Sequence, residues 1–290
     1  MTNLTFNSPT VYSSSTTANS GARKAATNSG CATPFCRLER PDAAAAAEWS
    51  APPDEFTLAE DEVHLWRFSL GQHDARAADF FDFLSPDERA RARCFLFAEN
   101  RRHYVIGRGW LRVLLGRYLD MAPARLEFRY GARGKPYLLP PASTAPVCFN
   151  LAHTESLALV AVTRDQAVGV DVERVRPVAD AEAVAARYFS PREQHELRVL
   201  PPGARAETFL RLWTGKEACM KAVGCGLDES LREVEILRAD GGVERRVSVA
   251  VATDRLVHCW LAELRFAEDH IGVVATVCDG MVDEVAGQSG

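Results

Sequence analysis

Two short segments of the chain repeat one another, and this repeat limits the folds that the chain can adopt. Phe83-Leu-Ser-Pro-Asp-Glu88 resembles Tyr188-Phe-Ser-Pro-Arg-Glu193. In each segment a serine precedes a proline at the first helical position, and a glutamate follows three residues after the serine. This is the capping-box pattern that begins a helix. Because helical and then strand patterns follow each segment, we expect an α+β fold of two similar halves that share an interface.

The bulk composition is ordinary for a globular protein and excludes some partners. The chain has 290 residues, of which 47% are hydrophobic and 25% charged. Its net charge of −5 gives no sign of nucleic-acid or membrane-surface binding, because such surfaces attract basic proteins. The longest apolar runs, residues 157–162 and 271–277, are too short to cross a bilayer.

Eight cysteines are scattered without a Cys-x-x-Cys pair, so the spacing of a zinc site is absent. Cys259 and Cys278 lie within apolar patterns, which is typical of buried thiols. This usage predicts a reducing, cytoplasmic compartment.

The two ends of the chain differ in composition from the rest. Residues 1–54 are rich in Ser, Thr, Ala, Asn and Pro, which predicts a disordered extension. A Ser-rich, acid-poor leader also suits a transit peptide, although Arg23 and Lys24 are the only basic residues in the first thirty positions. The N-terminus has no secretory signal pattern. The polar residues 280–290 are expected to form a frayed tail.

One strand pattern carries two carboxylates on a single face. In Val168-Gly-Val-Asp-Val-Glu173, Asp171 and Glu173 are two residues apart and therefore point to the same side of a β-strand. Two such carboxylates repel each other unless a cation lies between them, and their oxygens suit Mg²⁺. A solvent-facing strand edge with two acids is the alternative, and this strand alone does not decide between the two.

A helical pattern over residues 204–223 combines an apolar face with charged residues. Phe209, Trp213 and Met220 recur at helical spacing, while Glu217 and Lys221 project from neighbouring turns. Alone, this pattern is typical of a core helix with a surface ion pair. Gly215 in its middle costs about 1 kcal/mol relative to alanine, for which close packing is the expected explanation.

The first half of the chain contains basic residues and a histidine that are candidates for binding a ligand. The helical pattern 100–118 carries five arginines, which indicate either a solvated basic face or, for a few of them, a rim for a phosphate-rich ligand. A turn over residues 131–136 presents Arg133 and Lys135, and a strand pattern over 147–153 ends in His153. Each of these features has a purely structural alternative.

Taken together, the motifs resemble the 4′-phosphopantetheinyl transferase family, in its larger, surfactin-synthetase-activating type. The Gly-x-Asp-x-Glu strand that ends at Glu173 and the Trp-x-x-Lys-Glu-x-x-x-Lys helix that ends at Lys221 are its two signature motifs. The turn Gly134-Lys-Pro136 and the strand end Phe149-Asn-Leu-Ala-His-Thr154 match as well. The resemblance extends from about residue 60 to 279.

The resemblance implies a pseudo-twofold fold of two α+β halves, residues 55–164 and 165–279, with the active site in the cleft between them. It implies transfer of the phosphopantetheine arm of coenzyme A to a serine of an acyl or peptidyl carrier protein. Adenosine 3′,5′-bisphosphate would be released, with Mg²⁺ as cofactor and Mn²⁺ as a substitute. Because both halves lie in one chain, a monomer is expected.

The resemblance also implies roles for individual residues. Asp171, Glu173 and Glu217 would hold the metal, and Glu217 would act as base, directly or through water. Lys221 would reach the pyrophosphate, and Lys216 would add a second positive charge. The coenzyme A end would be contacted by Arg91, Lys135, Asn150, His153 and Thr154. Glu88 stands where some relatives carry a basic residue, so Arg89, Arg91 or Arg102 would have to replace that phosphate contact.

Two alternatives to the transferase remain open from the sequence. A non-catalytic module that binds coenzyme A or a carrier protein predicts the loss of at least one of Asp171, Glu173, Glu217 and Lys221, yet all four are present. A metal-dependent phosphohydrolase would use the same carboxylates and would need a water channel instead of a carrier-binding surface.

Overall fold

The structure, a computed structural model, describes residues 35–39, 49–71, 76–139, 146–226, 229–236, 238–239, 242–243, 246–252, 255–264, 266 and 269–284. Two four-stranded antiparallel sheets and six helices account for most of these residues. Within these ranges, no helix combines the length and the apolar character that a membrane span requires.

The first half contains one sheet, three helices and a small hairpin. In chain order its elements are β1 (Phe35–Glu39), β2 (Glu62–Ser69), α1 (Ala77–Phe83), α2 (Pro86–Arg93), α3 (Ala98–Tyr118), β3 (Phe128–Tyr130), β4 (Pro136–Leu138), β5 (Val147–Thr154) and β6 (Leu157–Arg164). The strands associate in the order β1-β2-β6-β5, and β3 pairs with β4. A 3₁₀ turn, Pro123–Arg125, precedes the hairpin.

The second half has the same kinds of elements. In chain order these are β7 (Val168–Arg174), α4 (Ala181–Tyr188), α5 (Pro191–Val199), α6 (Pro202–Val223), β8 (Arg238–Ala239), β9 (Gly242–Val243), β10 (Arg246–Ala252), β11 (Arg255–Leu264) and β12 (His270–Glu284). The strands associate in the order β10-β11-β12-β7, and β8 pairs with β9.

Both halves follow the same path through space. In the first half β2 pairs with the last strand, β6. In the second half β7 likewise pairs with the last strand, β12. That last strand pairs in turn with the strand before it, β5 or β11. The helices and the short hairpin lie between the first strand and the final two. The predicted α+β fold of two similar halves is therefore confirmed.

The two sheets pack face to face, and helices cover their outer faces. Leu65 and Leu159 of the first sheet share an apolar cluster with Val170, Val172 and Val274 of the second. The other face of the first sheet packs on α1 and α3, and that of the second packs on α4 and α6. Since Val170 and Val172 point into the space between the sheets, Asp171 and Glu173 point toward α6, as the alternation predicted.

Each half buries the glutamate of its capping box under its long helix. The backbone N–H of Ser85 donates to Glu88 Oε2 at 3.0 Å, and the same carboxylate is paired with Arg108 and Arg112 of α3. Glu193 caps α5 in the same way. Both predicted capping boxes are thus confirmed. Because Glu88 is 1% exposed and fully paired in the core, it is a structural residue and not a substitute at a ligand site.

The predicted disordered extension was wrong for residues 35–39. They form β1, all five residues of which pair with residues 62–66 of β2. Phe35, Cys36 and Leu38 are buried there, and Phe35 packs against Trp66. A composition average over fifty residues hides this short apolar run. The rest of the prediction for residues 1–34 and 40–48 lies outside the described residues.

The C-terminal end of the folded part also differs from the boundary expected from the sequence. Strand β12 continues to Glu284, so the tail begins later than residue 280. Before β8, a 3₁₀ turn covers Glu229–Glu233. The apolar spacing there serves to bury Leu231, Val234 and Ile236 against α6. Such packing does not require a ladder of strand hydrogen bonds.

The glycine in the middle of α6 is explained by packing. A Cβ atom on Gly215 would lie 2.6 Å from Ile236 Cδ1. We expect Gly215→Ala to lower the free energy of unfolding by about 1 kcal/mol, because overpacking outweighs the gain in helix propensity. Ile236→Val removes the clashing methyl group, so the double variant should recover about 1 kcal/mol relative to the sum of the singles. Urea unfolding of all four proteins measures this coupling, and strict additivity would contradict the contact.

Candidate active site

Strand β7 and helix α6 approach each other most closely at Gly169. A Cβ atom there would lie 2.1 Å from Ala218 O and 2.3 Å from Ala222 N. Only glycine permits this contact between two backbones. Asp171 and Glu173 follow Gly169 on the same face of the strand, so the contact carries their carboxylates to the side of α6 that bears Glu217 and Lys221.

Lys221 joins the strand and the helix through two ion pairs. Its Nζ lies 2.5 Å from Asp171 Oδ1 and 3.3 Å from Glu217 Oε2. The side chain of Lys221 is 30% exposed, whereas that of Asp171 is 7% exposed. Lys221 is therefore the more exposed member of this ion pair.

The cluster carries more negative than positive charge. Burial raises the pKa of Glu217 to about 7, and the charge of Asp171 contributes in the same direction. Burial and Asp171 likewise raise the pKa of Glu173 to about 7. Burial alone would lower the pKa of Lys221, but Asp171 and Glu217 outweigh it and hold that pKa above its usual value. Lys221 and, near Glu173, Arg176 do not cancel these effects, so a divalent cation among the three carboxylates would relieve their mutual repulsion.

The donor chemistry of these residues suits a hard divalent cation. Asp171 Oδ2 is buried without a hydrogen-bond partner, and carboxylate oxygens are the ligands that Mg²⁺ prefers. Within the described part of the chain, however, no three His, Cys, Asp or Glu side chains are gathered as in a preformed metal centre. Lys221 instead bridges two of the carboxylates. The residues fit the metal by chemistry and by the buried, unpaired oxygen.

Two histidines lie beside this cluster. His153 lies near the end of β5, and part of the residue is open to solvent. Desolvation of its ring, together with the charges of Lys221 and His103, lowers its pKa. Thr154 follows it at the end of the strand. Sequence reasoning missed His103 on α3, because it treated that basic stretch as arginines only. Arg91 of α2 lies over the ring of Tyr104 on α3, with its guanidinium carbon 5.9 Å from the ring centroid.

Two predicted ligand contacts have partners inside the protein. Lys135 Nζ donates to Val168 O at 2.9 Å and to Ala222 O at 3.0 Å. Asn150 Oδ1 accepts a hydrogen bond from the backbone N–H of Val170 at 2.9 Å. Both side chains therefore cross from the first half to the second, close to the cluster but bound to its backbone.

The predicted role of Lys216 at the site was wrong. Its side chain is fully buried and pairs with Glu193 at 2.8 Å. It also donates to Leu231 O and Val234 O, which uses all three ammonium protons. Lys221 follows Lys216 by five positions, so the two lysines leave α6 in different directions. Lys216 is the second-half counterpart of the arginines that pair with Glu88.

Family profiles match both halves of the chain. Residues 72–165 match the profile described as 4′-phosphopantetheinyl transferase, N-terminal, and residues 167–275 match that of the 4′-phosphopantetheinyl transferase superfamily. The 4′-phosphopantetheinyl transferase HetI of Nostoc sp. is 45% identical over 188 residues, which cover 65% of this chain and 79% of HetI. The 4′-phosphopantetheinyl transferase Sfp of Bacillus subtilis is 28% identical over 167 residues, covering 57% of this chain and 71% of Sfp.

The chain belongs to the 4′-phosphopantetheinyl transferase family, since it matches HetI at this identity over more than two thirds of that protein's length. The resemblance drawn from the motifs is thereby confirmed. A solved holo-(acyl-carrier-protein) synthase from Bacillus anthracis aligns with a TM-score of 0.31 and 18% identity, over 41% of this chain and 96% of that one. That likeness is too slight to bear on the assignment.

Proposed function

We propose that the chain transfers the phosphopantetheine arm of coenzyme A to a serine hydroxyl of an acyl or peptidyl carrier protein. The serine oxygen forms a bond to the β-phosphorus of the pyrophosphate, and the bond from this phosphorus to the bridging oxygen breaks. Adenosine 3′,5′-bisphosphate leaves, and the serine proton passes to a base on the enzyme. Such a displacement needs charge neutralisation and alignment more than covalent chemistry from the protein.

The observation that carries the proposal is the pairing of Lys221 with Asp171 and Glu217 at the contact between β7 and α6. The two carboxylates keep the ammonium charged and fix its position. A fixed, partly exposed cation can neutralise a pyrophosphate oxygen without reorganising during the reaction. Lys221 would therefore bind the pyrophosphate of coenzyme A.

Asp171, Glu173 and Glu217 would hold the divalent cation, Mg²⁺ or Mn²⁺. When bound, it would supply Lewis-acid neutralisation of the pyrophosphate oxygens. The buried Asp171 Oδ2, which has no hydrogen-bond partner in the protein, supports this role. Such an oxygen is costly to bury unless a ligand satisfies it.

Glu217 is the proposed proton acceptor for the serine hydroxyl, directly or through a water molecule. Its pKa, raised by burial to about 7 in the metal-free protein, suits proton transfer near neutral pH. The rigid helix α6 holds this carboxylate and Lys221 one turn apart, so the base and the pyrophosphate contact keep a constant separation.

The coenzyme A end would lie beside β5 and the helices of the first half. His153 would contact the 3′-phosphate, with Thr154 and Arg91 nearby. Burial contributes most to the lowered pKa of His153, and the charges of Lys221 and His103 lower it further. This gathering of positive charge supports an anion site here, because a bound phosphate would offset the repulsion. His103 belongs to the same group of cations.

The protein that performs this reaction is proposed to be a cytoplasmic monomer. No disulfide joins the cysteines in the described ranges, which suits a reducing compartment. Lys135 and Asn150 of the first half contact β7 of the second half within the same chain. A second copy of the chain is therefore not needed to complete the site.

Incubation with coenzyme A, Mg²⁺ and several apo carrier proteins tests the proposal. A mass gain of one phosphopantetheine arm on the carrier, absent when the carrier serine is replaced by alanine, is the expected result. Binding of coenzyme A without transfer to any carrier would favour the non-catalytic module. Release of adenosine 3′,5′-bisphosphate without a carrier would favour the phosphohydrolase.

A further inference from the structure

The strand that carries Asp171 and Glu173 is an edge strand. Among the residues that the structure describes, β12 is the one strand that pairs with β7. Its other edge runs beside β5 of the first half, yet β5 and β7 belong to different sheets and share no ladder. The outward backbone groups of β7 therefore need partners other than a neighbouring strand.

Two side chains of the first half supply these partners. Lys135, which follows the hairpin turn, donates to the outward carbonyl of Val168. Asn150 of β5 accepts from the outward N–H of Val170. Val168 and Val170 flank Gly169, so the two hydrogen bonds hold the strand on either side of its contact with α6.

Lys135 also holds the end of α6. The same ammonium donates to Ala222 O, one of the last carbonyls of the helix, which has no partner within the helix. The helix ends at Gly224, whose φ of 82° is left-handed, and a Cβ there would lie 3.9 Å from Lys135 Cδ. One lysine thus binds both elements that carry the carboxylates and Lys221.

We infer that Lys135 and Asn150 are positioning residues, which fix β7 and α6 relative to each other and to the first half. We call this pair the cross-half clamp. Its role rests on the proposed function, because the clamp holds the residues proposed to bind the metal and the pyrophosphate. Two of the three ammonium protons of Lys135 are already donated to backbone carbonyls, which leaves little capacity for a phosphate.

The clamp and the phosphate-contact role implied by the family resemblance predict different kinetics. Lys135→Met keeps the aliphatic stem and removes the donors. If the clamp is correct, kcat falls about 10- to 100-fold through misplacement of the carboxylates, while KM for coenzyme A stays within about threefold. Lys135→Arg, whose guanidinium can still donate to both carbonyls, restores most of kcat. Arg129→Met, on the same hairpin but exposed, changes neither parameter.

A second measurement does not depend on activity. Hydrogen exchange of peptides that span residues 168–172 and 218–226 should become about tenfold faster in Lys135→Met, and in the first peptide also in Asn150→Ala. Arg129→Met should match the wild type. If the wild type does not transfer the arm, the proposed function fails while hydrogen exchange still tests the clamp.

Two results would overturn the clamp. The first is a rise in KM for coenzyme A in Lys135→Met at unchanged kcat, which would assign the lysine to the phosphate. The second is hydrogen exchange unchanged from the wild type in both Lys135→Met and Asn150→Ala. If Lys135→Met does not fold, Asn150→Ala carries the same comparison, through its kinetics and through hydrogen exchange of residues 168–172.

Discussion

Asp171→Ala is expected to abolish transfer of the phosphopantetheine arm while the protein stays folded. The carboxylate binds Lys221 through one oxygen and offers the other, buried and unpaired, to the proposed metal. Losing both functions should lower kcat/KM by roughly 10³-fold or more, since Lewis-acid neutralisation is worth several kcal/mol. Lys221 would keep Glu217 as its partner, so it would not be left as an unpaired charge.

The fold should tolerate Asp171→Ala because the substitution removes one of three neighbouring carboxylates. Asp171 raises the pKa of both Glu173 and Glu217, so its removal relieves repulsion within the cluster. We expect the free energy of unfolding to change by less than about 1 kcal/mol. The lost ion pair with Lys221 and the relieved repulsion act in opposite directions, as is common at functional sites. Transfer kinetics and thermal unfolding of the same preparation measure both effects.

The matched control is Glu207→Gln, a carboxylate on α6 that pairs with Arg211 at the surface. It should retain wild-type transfer, because its ion pair is exposed and distant in sequence from the cluster. Retained activity in Asp171→Ala would contradict the proposed metal and pyrophosphate site. Loss of activity together with unfolding would show instead that Asp171 acts through stability.

Local patterns were sufficient to predict which side chains of the candidate site project from the same face or from neighbouring turns. The two-residue spacing of Asp171 and Glu173 predicts a shared face in any β-strand, and the four-residue spacing of Glu217 and Lys221 predicts neighbouring turns in any helix. Those relations depend only on the period of the element. The structure brings Asp171, Glu217 and Lys221 into direct contact and keeps Phe209 and Met220 in the core.

What local patterns could not predict were partners distant in the sequence. Lys216 and Lys221 lie on one helix with similar neighbours, but only the fold decides that Glu193 lies against Lys216 and Asp171 against Lys221. Lys135 likewise binds a carbonyl 87 residues away. A backbone carbonyl leaves no mark on the sequence, because every residue has one.

The repeat predicted the two halves but not how each ends. A capping box is a local signal, so α2 and α5 begin at the prolines that follow Ser85 and Ser190, as expected. Strand β1 depends on the unpaired edge of β2, and the extension of β12 depends on the length of β11. Such pairing is set by the partner strand more than by the sequence of the strand itself.

Gly169→Val should remove both stability and activity. The nearest groups to a new Cβ would be Ala218 O and Ala222 N, at 2.1 and 2.3 Å, and these belong to backbone that cannot adopt another rotamer. Strand and helix must then separate by about 1 Å, which costs about 3 kcal/mol in a close-packed core. The same displacement parts Asp171 from Lys221 and should lower kcat by about 100-fold in the molecules that remain folded.

Gly203→Ala is the matched control for this substitution. It lies in the first turn of the same helix, and a Cβ there would meet nothing within 4 Å. Its free energy of unfolding should stay equal to the wild type or rise by up to about 1 kcal/mol, because alanine favours the helix. Urea unfolding and transfer kinetics of both variants make the comparison. Wild-type stability in Gly169→Val would mean that α6 and β7 are not in backbone contact. The proposed arrangement of the carboxylates around Lys221, which depends on that contact, would then be wrong.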